Sequence, residues 1–363
     1  RRAAGALMAV EDRVRFGDLD VPKRITRSKT RLPTGIVARA MFALLAAATA
    51  LLMAQPAAAA AEIYTVTSTQ CDGPGSIRAA MTSANNNLGE DTIKIDPGLE
   101  IQTVNCDFVG NEIAPDYFAV HATESVIIEG NGAKLFGIIN WVDSGGVVTP
   151  SPGERCIRDT DLIAATSPGF ILVGERNADN SDITVTVRNL DLKELNSVAY
   201  IEKNASLVME DLDVFKIIPV WRTDDGGLPA VTAVEGANFT ARGTSWGSIF
   251  NCSRPPEPQA SSIYNGAAFT AGSGGDLTLE NSFFQNIGGA GTIFWNGRPG
   301  SKVNIVSSRF DSSGGFSVFG DATTNIVNTI WSTTNLPDIT DTMYNVSSAE
   351  MNIVASTILW PFN

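Results

Sequence analysis

From residue 126 onward one eight-position pattern keeps returning: apolar, any, apolar, any, small or amide/acid, small or apolar, any, apolar. It reads VTVRNLDL from Val185, LVMEDLDV from Leu207, FTARGTSW from Phe239, LTLENSFF from Leu277 and VNIVSSRF from Val303. Weaker copies are TNIVNTIW from Thr324 and MNIVASTI from Met351, and VIIEGNGA from Val126 is an earlier relative. Alternation with period two makes each copy a β-strand that buries one face. Successive starts from Val185 lie 22, 32, 38, 26, 21 and 27 residues apart, so the basic unit is near 22 and the excess is loop. A Gly-rich second segment follows several copies: AVTAVEG from Ala230, GAAFTAG from Gly266, GTIFWNG from Gly291 and FSVFGD from Phe316.

Short strands repeating in phase, without helices between them, leave few architectures. Helix-linked parallel sheets need a crossover of a dozen or more residues, usually helical. Antiparallel sandwiches also have short, evenly spaced strands, but they do not repeat one motif in phase. The pattern predicts an all-β, right-handed parallel β-helix, each coil stacked on the next at a strand spacing of about 4.8 Å. The fifth motif position holds Asn189, Asp211, Gly243, Asn281, Ser307, Asn328 and Ala355. Small and amide residues there fit a tight bend between two strands, where Asn tolerates left-handed backbone, so the column is structural.

A solenoid has open ends that must be covered. GPGSIRAAMTSANNN, from Gly73, supplies a short capping helix: Ser76 is an N-cap, Ile77, Ala80, Met81 and Ala84 share one face, and the Asn run from Asn85 ends it. The C-terminal copies run to Asn363 without a recognisable closing cap, which leaves room for truncation there.

Charge divides the chain. Residues 1–61 carry ten Lys/Arg and four acids, so of the total 26 and 39 the rest holds 16 basic and 35 acidic residues, a net of −19. Such a body repels phosphate backbones and anionic lipid, and with no dense basic patch a nucleic-acid partner is not expected. The basic stretch precedes MFALLAAATALLMA (Met41 to Ala54) and an A-x-A ending at Ala61. These are the parts of a secretory signal peptide, and the apolar run is too short to span a bilayer. The expected organisation is an extension and leader over 1–61, then a β-helix over 62–363. Within the latter, 62–100 form an N-terminal cap unit and the repeats begin at about 126. The mature chain is expected outside the cell or at its surface, with no transmembrane segment.

Export changes the meaning of the four cysteines. Cys71, Cys106, Cys156 and Cys252 lack zinc-site or C-x-x-C spacing, and an even count in an oxidising compartment suggests disulfides. Cys71 with Cys106 and Cys156 with Cys252 is the favoured pairing, because the first pair brackets one N-terminal unit. Free buried thiols are the alternative.

The segment Tyr64 to Ile95, with VTST, GPGS-I-R, the helical run to SANN and G-x-DTI, resembles the N-terminal capping unit of secreted bacterial β-helix proteins. These carry CSLREA-type motifs and polymorphic-outer-membrane-protein-like repeats; IEGNGAKL from Ile128 and NSFFQN from Asn281 extend the similarity. Ile77 stands where that family favours Leu, and Ala79 where it favours Glu or Gln, which would have completed a capping box with Ser76. The resemblance implies export and surface or extracellular display, and it carries no catalytic residue.

One histidine, His121, excludes multi-His metal sites and leaves any triad chemistry to a residue in AVHAT, outside the repeats. Parallel β-helices include pectin-degrading enzymes. Neither a polygalacturonase-like Asp cluster with a G-H-G turn nor a pectate-lyase-like Arg beside Ca²⁺-binding acids is present. What remains is carboxylate chemistry: Glu210, Asp211 and Asp213 in one strand, with Glu210 turned to solvent, and Asp224 and Asp225 in a loop. A glycosidase needs two carboxylates at defined separation, and Asp224 and Asp225 are also candidate Ca²⁺ ligands. The 32- and 38-residue spacings place long loops at Phe215 to Asn238 and Gly247 to Asp276, and solenoid loops of this kind build recognition surfaces. The first loop holds WRTDDGG. Trp221, Arg222, Asp224 and Asp225 are therefore the candidate ligand-binding residues: an indole face stacks on sugar rings and Asp accepts their hydroxyls. Trp246, Trp295 and Trp331 read as packing. The expected function is an adhesin-like or carbohydrate and surface-recognition solenoid without catalysis, with a glycan or a host surface as partner. A polysaccharide lyase or glycoside hydrolase acting on acidic polysaccharide is the alternative.

Overall fold

Each full coil consists of three short strands, and strands of like position stack in parallel on the coil before. The computed structural model describes residues 60–103, 106, 118–137, 141–143, 146–148, 169–195, 197–217, 230–249, 267–287, 291–311, 313, 316–332, 344–345 and 350–359. The first ladder runs through Ile63–Val66, Asp91–Ile95, Ser206–Glu210, Asn238–Arg242, Leu277–Glu280, Lys302–Val306, Thr323–Val327 and Met351–Val354. It also takes in the first halves of Val126–Phe136 and Thr184–Lys193. The second halves of those strands belong to the second ladder, with Glu100–Gln102, Asp213–Phe215, Ser245–Ile249, Phe283–Ile287, Arg309–Asp311, Ile330–Ser332 and Thr357–Leu359. The third ladder is Phe118–Ala122, Gly169–Val173, Ala199–Ile201, Val231–Ala233, Ala267–Gly274, Gly291–Gly297, Phe316–Gly320 and Tyr344–Asn345. The fold is an all-β parallel β-helix, as the in-phase repeat predicts. Among the described residues one antiparallel pair, Trp141–Asp143 with Gly146–Val148, stands outside the ladders.

Every copy of the motif straddles the first and second ladders, and its fifth residue is the bend between them. Asn189, Asp211, Gly243, Asn281, Ser307, Asn328 and Ala355 all take positive φ, between 48° and 60°. Most L-residues pay roughly 1–2 kcal/mol for that conformation, which explains the preference for Asn and Gly. The amides also link coils: Asn328 Nδ2 donates to Ser307 Oγ at 3.2 Å and Asn189 Nδ2 to Glu129 Oε1 at 2.7 Å. A second left-handed column, Glu194, Lys216, Ser248 and Asn286, closes the second ladder in successive coils. Its residue types share no chemistry, so the sequence did not announce it.

Inside, the columns are homogeneous. In the second ladder Trp246, Phe284, Phe310 and Trp331 are stacked in register and buried. Phe284 and Phe310 lie 4.4 Å apart between ring centroids, Phe310 and Trp331 3.8 Å, both pairs within 9° of parallel. Trp295 is buried from the third ladder, so all three tryptophans read as packing do pack. Beside the rings the sixth motif position forms a buried hydroxyl column. Thr244 and Ser282 lie within 2.9 Å, the backbone N–H of Ser282 donates to Ser308 Oγ, and that of Ser308 donates to Thr329 Oγ1. Trp246 Nε1 donates to Thr244 Oγ1 at 2.8 Å, which satisfies an indole that would otherwise be orphaned in the core.

The cap forms as expected. The helix Ile77–Asn85 has Ser76 as N-cap, its Oγ accepting from the Ala79 N–H at 3.1 Å, and it buries Ile77, Ala80, Met81 and Ala84. Cys71 and Cys106 are disulfide-bonded, Cα atoms 5.2 Å apart, and buried against Ala119. Cys156 and Cys252 lie outside the described residues, as does the expected extension and leader up to residue 59. The ladders begin earlier than the repeat pattern indicates. Ile63–Val66 and Asp91–Ile95 already pair in the first ladder, ahead of Val126, because IYTV and DTIKI are too short to display the full motif. Ala58–Asn363 form one compact unit, and no helix among the described residues is long and apolar enough to cross a membrane.

Candidate functional site

Trp221, Arg222, Asp224 and Asp225 lie outside the described residues. What the fold supplies is the pair of strands on either side of them in sequence, Asp213–Phe215 in the second ladder and Val231–Ala233 in the third. In the coils after the cap, the connections longer than ten residues (103–117, 137–168, 216–230, 250–266 and 333–343) all run from the second ladder to the third. The long loops expected at Phe215 to Asn238 and Gly247 to Asp276 are shorter than their spacings implied. Each contains a third-ladder strand, Val231–Ala233 and Ala267–Gly274. Both strands fall in the Gly-rich second segments, AVTAVEG and GAAFTAG. His121 also needs correction: it lies within the third ladder, paired with Leu172. Its Nε2 is 2.9 Å from the Gly174 carbonyl, so that nitrogen donates.

The outward face of the third ladder is therefore the surface beside which every long connection rejoins the coil. Alternation turns Tyr200, Thr232, Thr270 and Phe294 outward in register, between inward Ala199 and Ile201, Val231 and Ala233, Phe269 and Ala271, and Ile293 and Trp295. Phe118, whose ring occupies the space a side chain at Gly169 would need, reaches Tyr200 at 6.5 Å. Just past the strand end, Glu202 is close enough for its charge to act on the Tyr200 phenol, as is Arg176. Thr270 and Phe294 are only 5% and 8% exposed despite facing outward. The hydroxyls of Thr232 and Thr270 are both buried and have no hydrogen-bond partner. An orphaned buried hydroxyl costs about 1–3 kcal/mol, so two in adjacent coils are not packing by default.

Electrostatics on this face disfavour charge. Burial pushes the Glu202 carboxyl above its ordinary value, against the Arg176 charge and a backbone N–H, and Glu202 is 9% exposed. Burial likewise raises the Tyr200 phenol, with the Glu202 charge adding to it.

The first ladder's outward face is built differently. Lys94, Glu129, Arg188, Glu210, Arg242 and Glu280 follow one another in register, alternating in sign. Arg188 pairs with Glu129, and Arg242 reaches Glu210 and Glu280, each at 3.3 Å. Burial alone would raise the Glu129 carboxyl. Hydrogen bonds from Asn189 and Arg188 and the Arg188 charge outweigh it and hold the group below its ordinary value. Further on, Asn304, Asn325 and Asn352 form an amide column with 2.9 and 3.1 Å hydrogen bonds. Of the generic carboxylates, Glu210 is thus committed to an ion pair, Asp211 to the bend, and Asp213 lies 3.8 Å from Lys193 Nζ.

No group of three or more His, Cys, Asp or Glu among the described residues could hold a metal ion. No family model matches this chain, and neither the curated proteins nor the solved structures contain a match to it. Sequence reading passed over Tyr200, Glu202, Thr232, Thr270 and Phe294. The alternation in AVTAVEG, GAAFTAG and GTIFWNG was the signal that could have brought the last three together.

Proposed function

We propose that this chain is an exported solenoid of the cell surface or extracellular space, which recognises a glycan or a host-surface partner without catalysing a reaction. The observation that carries the reading is the third ladder's outward face, aromatic and hydroxyl-bearing, lying where every long connection rejoins the coil. Rigid ladders presenting side chains beside long segments are how solenoids build recognition surfaces. The segment holding Trp221, Arg222, Asp224 and Asp225 precedes, in sequence, the strand Val231–Ala233 that carries Thr232. Export is supported by the leader-like Met41 to Ala54 and by the likeness of Tyr64 to Ile95 to the capping units of secreted bacterial β-helix proteins. A hydrolase needs two carboxylates, and in the columns of Tyr200 and Glu202 the described residues include one, Glu202.

A glycan array, run with reducing-end and unsaturated-product assays on acidic polysaccharides, tests this. Binding without turnover is expected. Ca²⁺-dependent release of unsaturated sugars, abolished by Asp224→Ala or Asp225→Ala, would replace recognition by a lyase.

A further inference from the structure

The inward column at the start of the first ladder is apolar over six successive coils: Val126, Val185, Leu207, Phe239, Leu277 and Val303, all buried. One rung earlier the same column holds an acid. Asp91 pairs in register with Val126 and is fully buried. From this exception we infer that Asp91 is the acceptor for a new chain terminus: hydrolysis of the Ala61–Glu62 peptide bond by a leader peptidase leaves an α-ammonium on Glu62, which docks on the Asp91 carboxylate and fastens the first rung. The inference rests on the export reading above and names the bond that processing must cut.

The nitrogen is already in place. The Glu62 backbone N–H donates to Asp91 Oδ1 at 2.8 Å, and the Glu62 carbonyl accepts from the Thr92 N–H at 2.8 Å, so ladder pairing holds that nitrogen against the carboxylate. Asn87, just past the cap helix, donates to the same Oδ1 at 2.9 Å and to the Ala60 carbonyl at 3.3 Å. Asp91 Oδ2 is buried and has no hydrogen-bond partner. Among the described residues no ion pair includes Glu62 or Asp91. The surroundings add negative charge instead: partial burial, a hydrogen bond to Glu62 and the charges of Glu62 and Asp91 push the Tyr64 phenol up to about 12. A buried carboxylate without a cation is costly, and a charge-assisted hydrogen bond is about twice as strong as a neutral one. Cleavage supplies the cation at this point. Water's oxygen bonds to the Ala61 carbonyl carbon as the C–N bond breaks, and both of water's protons end on the Glu62 nitrogen, leaving a carboxylate on the leader. The α-ammonium is charged at neutral pH and has three N–H groups, one to keep the bond to Oδ1 and another for Oδ2. Ala60, Ala61 and Glu62 are exposed, and Ala61 ends the A-x-A of the leader.

Expression of the full chain in a secreting bacterial host tests this. N-terminal sequencing of the exported protein is expected to begin at Glu62. The processed chain should melt about 3 °C or more above the same chain retaining Ala61 ahead of Glu62, and Asp91→Asn should erase that difference. At pH 7 the α-amino group of the processed chain should acylate about ten-fold or more slowly than that of the chain retaining Ala61, because a paired ammonium gives up its proton less readily. That rate needs no variant, so it decides the matter even where Asp91→Asn does not fold. Equal melting temperatures and equal acylation rates overturn the docking, as does a melting difference that persists in Asp91→Asn. An exported protein that begins at any residue other than Glu62 overturns the inference and leaves export standing. Retention of the leader on a chain that stays inside the cell removes the export reading itself, and the inference with it.

Discussion

The first and third ladders wrap one core and share a register, but they solve the problem of an outward sheet face in opposite ways. The first spends its outward positions on partners within the protein: Glu129 with Arg188, Arg242 between Glu210 and Glu280, Asn325 between Asn304 and Asn352. These outward charges and amides pair with one another, and the first ladder's own unpaired atoms, Asp91 Oδ2 and Thr324 Oγ1, are buried in inward-facing residues. The third leaves two threonine hydroxyls unmatched, brings Tyr200 and Glu202 into a setting that disfavours their charged forms, and lies where the long connections return. Self-sufficiency marks a structural face. Unmet polar valence beside aromatic rings marks a face made for something else.

The largest effect should come from the core that both faces share. Phe310→Ala removes a ring stacked between Phe284 and Trp331 and should cost about 3–5 kcal/mol in urea unfolding. A loss below 1 kcal/mol would mean that the aromatic column does not hold the coils together. Next is the bend that separates the first ladder from the second. Asn281→Val forces a β-branched residue to a φ of 49° and should cost about 1–2 kcal/mol, whereas Asn281→Gly should stay close to wild type. Equal losses for the two would assign the effect to the amide rather than to the backbone.

Charge reversal sharpens the contrast between the faces. Arg242→Glu sets three carboxylates in adjacent rungs and should cost on the order of 1 kcal/mol at low ionic strength, the loss shrinking in high salt. A salt-independent loss would point to packing of the arginine stem. The smallest effect belongs to Glu202. A carboxyl whose pKa is raised by folding stabilises the folded state only while protonated, and that contribution fades as pH rises through its folded value. Glu202→Gln should therefore gain stability on wild type at pH 7 to 8, and the gain should vanish below the ordinary carboxylate range near pH 4. Melting curves at both ends check it; a gain confined to acid would reverse the sign assigned to this face.

Much of this architecture was legible because it repeats. Asn189, Asn281 and Asn328 recur at one motif position and all prove to be left-handed, since few residues tolerate that backbone and evolution has to spell it out. Ser76 and the Ile77, Ala80, Met81, Ala84 face were legible for a similar reason: a helix cap and a 3.6-residue stripe are local chemistry. Cys71 and Cys106 were paired from their bracketing of one unit. The third ladder was less visible. AYI and VTA are three residues long and carry no bend marker, so His121 read as an outsider and Tyr200 as nothing in particular.

By itself, the sequence determined the coil: its phase, its bend residues, its inner columns and its helical plug, all of which depend on residues within about ten positions of one another. Only the tertiary structure decided which side chains meet on an outward face. Tyr200, Thr232, Thr270 and Phe294 are separated by connections of unequal length. Stacking erases those differences, because parallel hydrogen bonding imposes one register whatever length of chain lies between two rungs. The candidate site is made of what the loops skip over, and a periodic reading that treats loops as excess has no means of aligning it.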